Sequence, residues 1–195
     1  MSFSKFELSG LYIKKGYSVA EIASHFNCSE NKINYWIRKY GIPKRSISEA
    51  MYLKCNPGGD PFQFSYPDTI EEAKLLGMGV GLYWGEGNKV DRNSVRLGNT
   101  DPALINKYIE FLIKICQVSP NKLRFGLQIF SDTNPELALD YWVKIINFPR
   151  KQFMPKVVVT PTRGLGNYRK KSEYGVLTVY CHNKKLKSLL MSMLN

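Results

Sequence analysis

Four glycines interrupt an apolar run between residues 75 and 87, and this pattern constrains the fold more than any other feature of the chain. Gly77, Gly81 and Gly85 recur at every fourth position, so on a helix they form a single ridge. Each interior glycine costs a helix roughly 1 kcal/mol relative to alanine. The ridge therefore predicts a place where a second backbone comes very close, because glycine has no Cβ to hold it away.

A single carboxylate ends the run. Glu86 lies near the C-terminus of the predicted helix, where a negative charge opposes the helix dipole, so function is a better explanation for it than stability. Two such helices packed along their glycines would bring two acids together, and that pair can bind a metal. Two alternatives stay open: the glycines serve only packing within the chain, or Glu86 pairs with Lys89 without a metal.

The chain is strongly basic. Its net charge is +12, from 28 Lys and Arg against 16 Asp and Glu, and the excess is distributed, since residues 1–55 already hold nine basic and four acidic residues. Because 44% of the residues are hydrophobic, we expect a folded protein whose basic surface binds a polyanion, most commonly nucleic acid. Two alternatives are RNA in place of DNA and a charge that only aids solubility.

Several classes of protein are excluded by composition. The apolar run is too short to span a bilayer, and the first residues contain no apolar core of a secretion signal. The four cysteines are far apart without metal spacing, as expected for reduced thiols of an intracellular protein. Together with the expected binding of nucleic acid, this predicts a cytoplasmic protein associated with the nucleoid. Only two histidines occur, which argues against a zinc finger or a histidine-dependent nuclease.

The residue pattern predicts an α+β protein with two domains, at residues 1–53 and 68–195, joined by a Pro- and Gly-rich linker at 54–67. Three short helices are predicted first, at 6–15, 19–26 and 30–40. The second domain is predicted to contain, in order, a helix at 70–86, a strand at 94–99, a helix from 101 to 115, a strand at 122–131, a helix at 135–146, strands near 152–160 and 174–181, and a helix at 184–194.

The second and third helices resemble a helix-turn-helix of the resolvase type. The resemblance depends on Ser18-Val19-Ala20-Glu21-Ile22-Ala23 and the following Cys28-Ser29. Asparagine and arginine can hydrogen-bond base edges, and lysine neutralises phosphate, so the third helix is the expected DNA-reading element. Its candidate residues are Asn31, Lys32, Asn34, Tyr35 and Arg38. Lys44 and Arg45 follow in an extended segment that can enter a minor groove. The alternative is a solvated helix face.

The motif Gly81-Leu82-Tyr83-Trp84-Gly85-Glu86-Gly87 resembles the LAGLIDADG signature of homing endonucleases. The resemblance covers about residues 68–195 and extends to Asn99-Thr100-Asp101-Pro102 and Gly175-Val176-Leu177-Thr178-Val179-Tyr180. It places Glu86 at the acidic position that holds the catalytic metal. Trp84 stands at a position where the family usually has an acidic residue. The helix at 135–146 is an additional element in the family's order of helices and strands.

The resemblance implies an αββα-type mixed domain whose antiparallel sheet binds double-stranded DNA. Because the chain has one motif, two chains would form a homodimer through Gly77, Gly81 and Gly85. Two Glu86 carboxylates and the Gly85 carbonyl would then bind Mg²⁺, or Mn²⁺ or Ca²⁺ at the same site, for phosphodiester hydrolysis at a pseudo-palindromic sequence. Lys89 would offset charge on the phosphate. The alternative is a transcription regulator that does not cleave, because related folds occur among bacterial regulators.

Further DNA-binding residues are expected on the sheet and in one loop. The candidates that face the groove are Arg96, Lys122, Arg124, Gln128 and Lys156. The candidates that hold phosphates from the Gly- and Arg-rich loop are Arg163, Arg169, Lys170 and Lys171.

Overall fold

A computed structural model describes residues 3–161 and 172–194 of the chain. It divides into two compact units, residues 1–60 and 61–195. The division lies between Asp60 and Pro61, within the segment predicted as a linker. Each unit has its own hydrophobic core.

The N-terminal unit is entirely helical in its described part. Its helices are α1 (Lys5–Ser9), which continues as a π-helical turn (Gly10–Lys14), α2 (Val19–His25), α3 (Glu30–Lys39) and α4 (Ile47–Cys55). Ser18 and Glu21 form the expected capping box of α2, and Ser29 caps α3. The core of the unit comes from apolar residues at helical spacing, among them Leu8, Leu11, Ile22, Ile33 and Ile37. The three helices predicted in this region are confirmed.

Helix α4 was not predicted. A capping box of Ser46 and Glu49 starts it, but its apolar residues are spread around the helix and none of its residues is buried. Amphipathic periodicity, the strongest helix signal in a sequence, is therefore weak here. The helix also extends to Cys55, so its end lies inside the predicted linker.

The C-terminal unit alternates helices with single strands. Its elements are α5 (Ile70–Glu86), β1 (Val95–Asn99), α6 (Pro102–Lys114), β2 (Leu123–Phe130), α7 (Pro135–Ile146), β3 (Val158–Thr160), β4 (Val176–Cys181) and α8 (Lys184–Ser192). The preceding segment belongs to the unit as well, since Phe62 and Phe64 pack against its core and Gln63 donates a backbone hydrogen bond to Cys116.

The four strands form one mixed sheet in the order β1-β4-β2-β3. β4 is antiparallel to both of its neighbours, whereas β3 runs parallel to β2. The expectation of a fully antiparallel sheet is therefore wrong at β3, because α7 carries the chain across the sheet and returns it in the same direction. β3 is also shorter than predicted: residues 150–152 form a 3₁₀ turn, and Phe153 contributes only an isolated bridge to Phe125.

One face of the sheet is covered and the other is more open. Residues 123, 125, 127 and 129 of β2 are buried against the helices, while the alternate residues are half-buried or exposed, as the alternation predicts. The coarse prediction of an α+β protein is thus confirmed. None of the described helices combines the length and the apolar character needed to cross a membrane.

Candidate functional site

Helix α5 packs into its own unit through one face only. The sequence offers Asp68 or Thr69 as the cap of this helix and predicts its end at Gly87. In the structure Thr69 is the cap, since its side chain accepts a hydrogen bond from the backbone N–H of Glu72, and the helix ends at Gly87. Leu75, Gly79 and Tyr83 are its buried residues. A Cβ at Gly79 would lie 2.1 Å from Cγ of Phe111, so this glycine permits the contact between α5 and α6.

The three ridge glycines lie on the opposite, exposed face of α5. A Cβ at Gly77, Gly81 or Gly85 would meet nothing within 4 Å. Large apolar side chains accompany the ridge: Ile70, Met78 and Trp84 are 70%, 50% and 69% exposed. Packing within the chain therefore explains Gly79, but it does not explain the ridge.

Glu86 is the last residue of α5 and is exposed. Its carboxylate makes no hydrogen bond or ion pair with any residue that the structure describes. Lys89 is engaged elsewhere, because its Nζ donates to the carbonyl oxygen of Trp84. The alternative of a Glu86–Lys89 ion pair is therefore absent from the structure, and the carboxylate is available to an external ligand.

The donor atoms at this helix end suit a hard cation. Gly85 is exposed in the last turn, where backbone carbonyls no longer have N–H donors within the helix. A carboxylate and a backbone carbonyl are oxygen ligands of the type that Mg²⁺ prefers. One chain alone offers few ligands, since the described residues contain no group of three or more His, Cys, Asp or Glu placed to hold a metal. A closed site would need donors from a second copy or from phosphate.

A buried polar cluster fixes the turn that follows Glu86. Gly87 bridges to Leu97 of β1, and the backbone N–H of Asn88 donates to the carbonyl of Arg96 at 2.9 Å. The Tyr83 hydroxyl donates to the Asn88 carbonyl at 2.9 Å. Lys187 of α8 donates from Nζ to both of these oxygens, at 2.5 Å each.

Burial shifts the pKa values of two side chains in this cluster. It raises the pKa of Tyr83 to about 12, with a further contribution from Asp91, so the phenol stays neutral near neutral pH. Burial lowers the pKa of Lys187, because the charged ammonium loses hydration there. Sequence reasoning missed Lys187. The available signal was its position on the apolar face of α8, three residues before Leu190.

The more open face of the sheet carries a basic row across three strands. Arg96 of β1 and Arg124 of β2 both lie opposite Tyr180 of β4. The Arg96 guanidinium lies 5.3 Å from the centre of the Tyr180 ring and forms an ion pair with Asp91. Arg124 donates to the carbonyls of Asn121 and Leu123 at 2.7 Å. The predicted cations of β1 and β2 are thus brought together.

His182 lies next to this row, two residues after Tyr180 and just past the end of β4. The sequence did not predict it as a site residue. Its ring lies 5.8 Å from that of Tyr180, and burial followed by the nearby Arg96 charge lowers its pKa. The next row of the sheet contains two glycines, since Gly98 and Gly126 both lie opposite Thr178. The Thr178 side chain lies close to Gly98 and the Tyr180 ring lies close to Gly126, so these glycines make room for the neighbouring side chains.

The remaining predicted residues of this unit are peripheral to the row. Gln128 donates to Oγ1 of Thr160 at 3.0 Å, and Lys122 and Lys156 are exposed. The predicted phosphate-binding residues Arg163, Arg169, Lys170 and Lys171 lie outside the described residues.

In the N-terminal unit, α3 buries Ile33 and Ile37 and turns a polar face outward. On that face lie Asn31, Lys32, Asn34, Tyr35 and Arg38, and none of these side chains has a hydrogen bond or an ion pair within the described chain. Ring contacts do occur, because Tyr35 packs edge-on against Trp36 and Lys32 lies 5.6 Å from the centre of the Phe3 ring.

The two basic residues after α3 differ in their surroundings. Lys44 is exposed beside Ile13 and Pro43. The Arg45 guanidinium instead lies 4.1 Å from the centre of the Tyr12 ring and donates to the carbonyls of Tyr12, Gly16 and Tyr17. Arg45 therefore stabilises the N-terminal unit, and its contact atoms are largely committed within the chain.

Comparison of the chain with protein-family profiles, with curated proteins and with solved structures gives no match.

Proposed function

We propose that this chain is a homodimeric, LAGLIDADG-like DNA-binding protein that cleaves double-stranded DNA with Mg²⁺. The observation that carries the proposal is the exposed face of α5, where three glycines with open space above them lead to the carboxylate of Glu86, which has no partner among the described residues. No contact among the described residues gives the glycine ridge or the acid that follows it a role within one chain, and both features would have a role between two chains.

A two-fold axis along the ridge would place the two Glu86 carboxylates near each other. Two close carboxylates repel, and the negative ends of two helices add to that repulsion, so a cation between them is stabilising. Glu86 and the Gly85 carbonyl would hold the ion. Bound Mg²⁺ supplies activated water and stabilises charge on the phosphate oxygens.

Other residues of the chain would hold the DNA. The Lys89 ammonium lies three residues after the acid and would offset negative charge on the scissile phosphate. Arg96 and Arg124 on the sheet would neutralise phosphates. The exposed face of α3, in a helix-turn-helix, would read base edges of a pseudo-palindromic site. Such a protein would act in the cytoplasm, at the nucleoid.

The experiment has two stages. First, bound sequences are selected from a random duplex pool, with and without Mg²⁺, to obtain a target. Wild type and Glu86→Gln are then incubated with that target and Mg²⁺, with Glu71→Gln, an exposed acid in the first turn of the same helix, as the matched control. We expect Glu86→Gln to bind DNA and to lose cleavage, and Glu71→Gln to cleave normally. If Glu86→Gln cleaves the target as well as wild type does, Glu86 has no catalytic role.

A second candidate is a transcription regulator that binds DNA without cleaving it. Two observations favour it: the polar face of α3 is available, and the described residues provide no metal-binding cluster within one chain. Tight binding to a selected duplex with no Mg²⁺-dependent nicking would support this function and would exclude the endonuclease.

A further inference from the structure

Lys187 is the most unusual charged residue in the described chain. It is only 3% exposed, and none of the carboxylates that the structure describes contacts its ammonium. Burial of a charge is costly unless the charge is paired and hydrogen-bonded. Its two acceptors, the hydroxyl of Tyr83 and the carbonyl of Asn88, are both neutral. A residue kept in such a place calls for a reason beyond the stability of α8.

The location of the ammonium supplies part of that reason. Tyr83 lies in the last turn of α5, and Asn88 follows the helix directly. The carbonyl groups at a helix C-terminus carry partial negative charge, which a cation stabilises. Lys187 thus provides a positive charge beneath the same helix end that presents Glu86.

The contacts of Lys187 also stabilise the conformation of the backbone turn that follows Glu86. Three separate elements meet at this point: α8 through Lys187, α5 through Tyr83, and the turn through Asn88. Gly87 is buried against Tyr83, because a Cβ there would lie 2.3 Å from the Tyr83 ring. These hydrogen bonds hold the turn against both α5 and α8. Because Glu86 directly precedes the turn, they also restrict the orientation of Glu86.

We propose that Lys187 is a positioning residue of the metal site, acting through Tyr83 and Asn88 on Glu86 and Lys89. This inference rests on the proposed endonuclease function. Lys187 does not touch the metal or the DNA. Its role is to hold the turn so that the Glu86 carboxylate and the Gly85 carbonyl face the same ion, in the way that outer partners orient metal ligands.

The test compares Lys187→Met with wild type, and Lys184→Met, an exposed lysine of the same helix, is the matched control. Methionine keeps the length and apolar stem of the side chain and removes its donors. Four quantities are measured: thermal unfolding, DNA affinity without Mg²⁺, the Mg²⁺ concentration for half-maximal cleavage, and Tb³⁺ luminescence excited through Trp84, which lies two residues from Glu86. Glu86→Gln gives the background of the luminescence assay.

Loss of an outer partner of a metal ligand typically costs about 10- to 100-fold in metal affinity or activity. We expect Lys187→Met to weaken Tb³⁺ binding and to raise the half-saturating Mg²⁺ concentration by this factor, with DNA affinity within about twofold of wild type. Lys184→Met should match wild type in all four measurements. A purely structural role for Lys187 would lower the unfolding temperature and leave both metal titrations unchanged, and that result overturns the inference.

Failure of the inference and failure of the proposed function give different results. If wild type neither cleaves DNA nor binds Tb³⁺ above the Glu86→Gln background, the endonuclease proposal is wrong, and the positioning role falls with it. If wild type does both and Lys187→Met equals it, only the positioning role is wrong. If Lys187→Met does not fold, Tyr83→Phe decides, because it removes one member of the cluster and keeps the ring. An unchanged Tb³⁺ affinity in that variant overturns the inference.

Discussion

The two faces of helix α5 use the same residue type for opposite purposes. On the buried face, Gly79 admits the ring of Phe111, and no side chain would fit between them. On the exposed face, Gly77, Gly81 and Gly85 have open space above them. The first glycine is explained by a contact inside the chain, whereas no contact of the described residues explains the other three.

The two faces show that the surroundings of a glycine determine whether its cost to helix stability is offset. Each glycine lowers helix stability by roughly 1 kcal/mol, wherever it lies in the helix. At Gly79 the close packing of α5 on α6 offsets that cost. At the ridge no contact of the described chain offsets that cost, and in the proposed dimer the close approach of a second helix would offset it.

Gly79→Ala is expected to have the largest effect on stability. The added methyl group would overlap the Phe111 ring, and overpacking of this kind costs about 1–3 kcal/mol or more. Chemical denaturation measures the change in the free energy of unfolding. Combining Gly79→Ala with Phe111→Leu should recover part of the loss, since the smaller side chain makes room. A neutral Gly79→Ala would show that the two faces do not differ.

Gly81→Ala tests the exposed face. The methyl group has room in the monomer, but it would separate two backbones that pack along the ridge. If the same overpacking cost applies between chains, the dimer dissociation constant rises by about 10- to 100-fold. Sedimentation equilibrium measures it, with Gly10→Ala, an open-space glycine of the other unit, as the control. A dimer of unchanged affinity would place the interface elsewhere.

The sheet unit offers a contrast between a cation without a described counter-ion and an ion-paired one. Arg124 lies in the basic row and donates only to backbone carbonyls among the described residues, whereas Arg150 is ion-paired with Glu136 and Asp140. Arg124→Gln should lower the slope of log K against log salt by about 1, because one phosphate contact is lost. Arg150→Gln should leave the slope of DNA binding unchanged. If the two substitutions change the salt dependence of DNA binding equally, the face of the sheet that carries Arg124 is not part of the proposed DNA interface.

The smallest effect is expected from Gly77→Ala in the isolated monomer. Alanine is the better helix former and has no clash at this position, so the unfolding free energy should rise by up to about 1 kcal/mol. The measurement is made at concentrations where the chain does not self-associate. Destabilisation would mean that this face is covered in the folded monomer.

Much of the architecture was available from local pattern. The helix at 70–86, its cap at Thr69 and its stop at Gly87 follow from capping and glycine rules, and the alternation of β2 follows from the two-residue period of strands. Helix α4 was missed because none of its residues is buried, and the parallel direction of β3 was missed because pairing direction depends on how α7 crosses the sheet.

The candidate site was only partly predictable, for a related reason. Glu86 and the ridge are contiguous in sequence, so a motif could reveal them. Lys187 is about 100 residues away from the turn that it contacts, and Tyr180 joins Arg96 and Arg124 only through strand register. Arg45 shows the reverse case, since a basic residue expected at DNA has its guanidinium bound to backbone carbonyls of its own unit.

The sequence by itself determined where most helices and strands lie and that an acid ends a glycine-rich helix. These properties depend on neighbours within a few turns. The tertiary structure alone decided at which glycines the space for a Cβ is occupied and at which it is empty. It also decided which distant lysine contacts the end of α5. Those properties depend on how elements far apart in the chain pack, because a side chain's role is set by what it contacts in space.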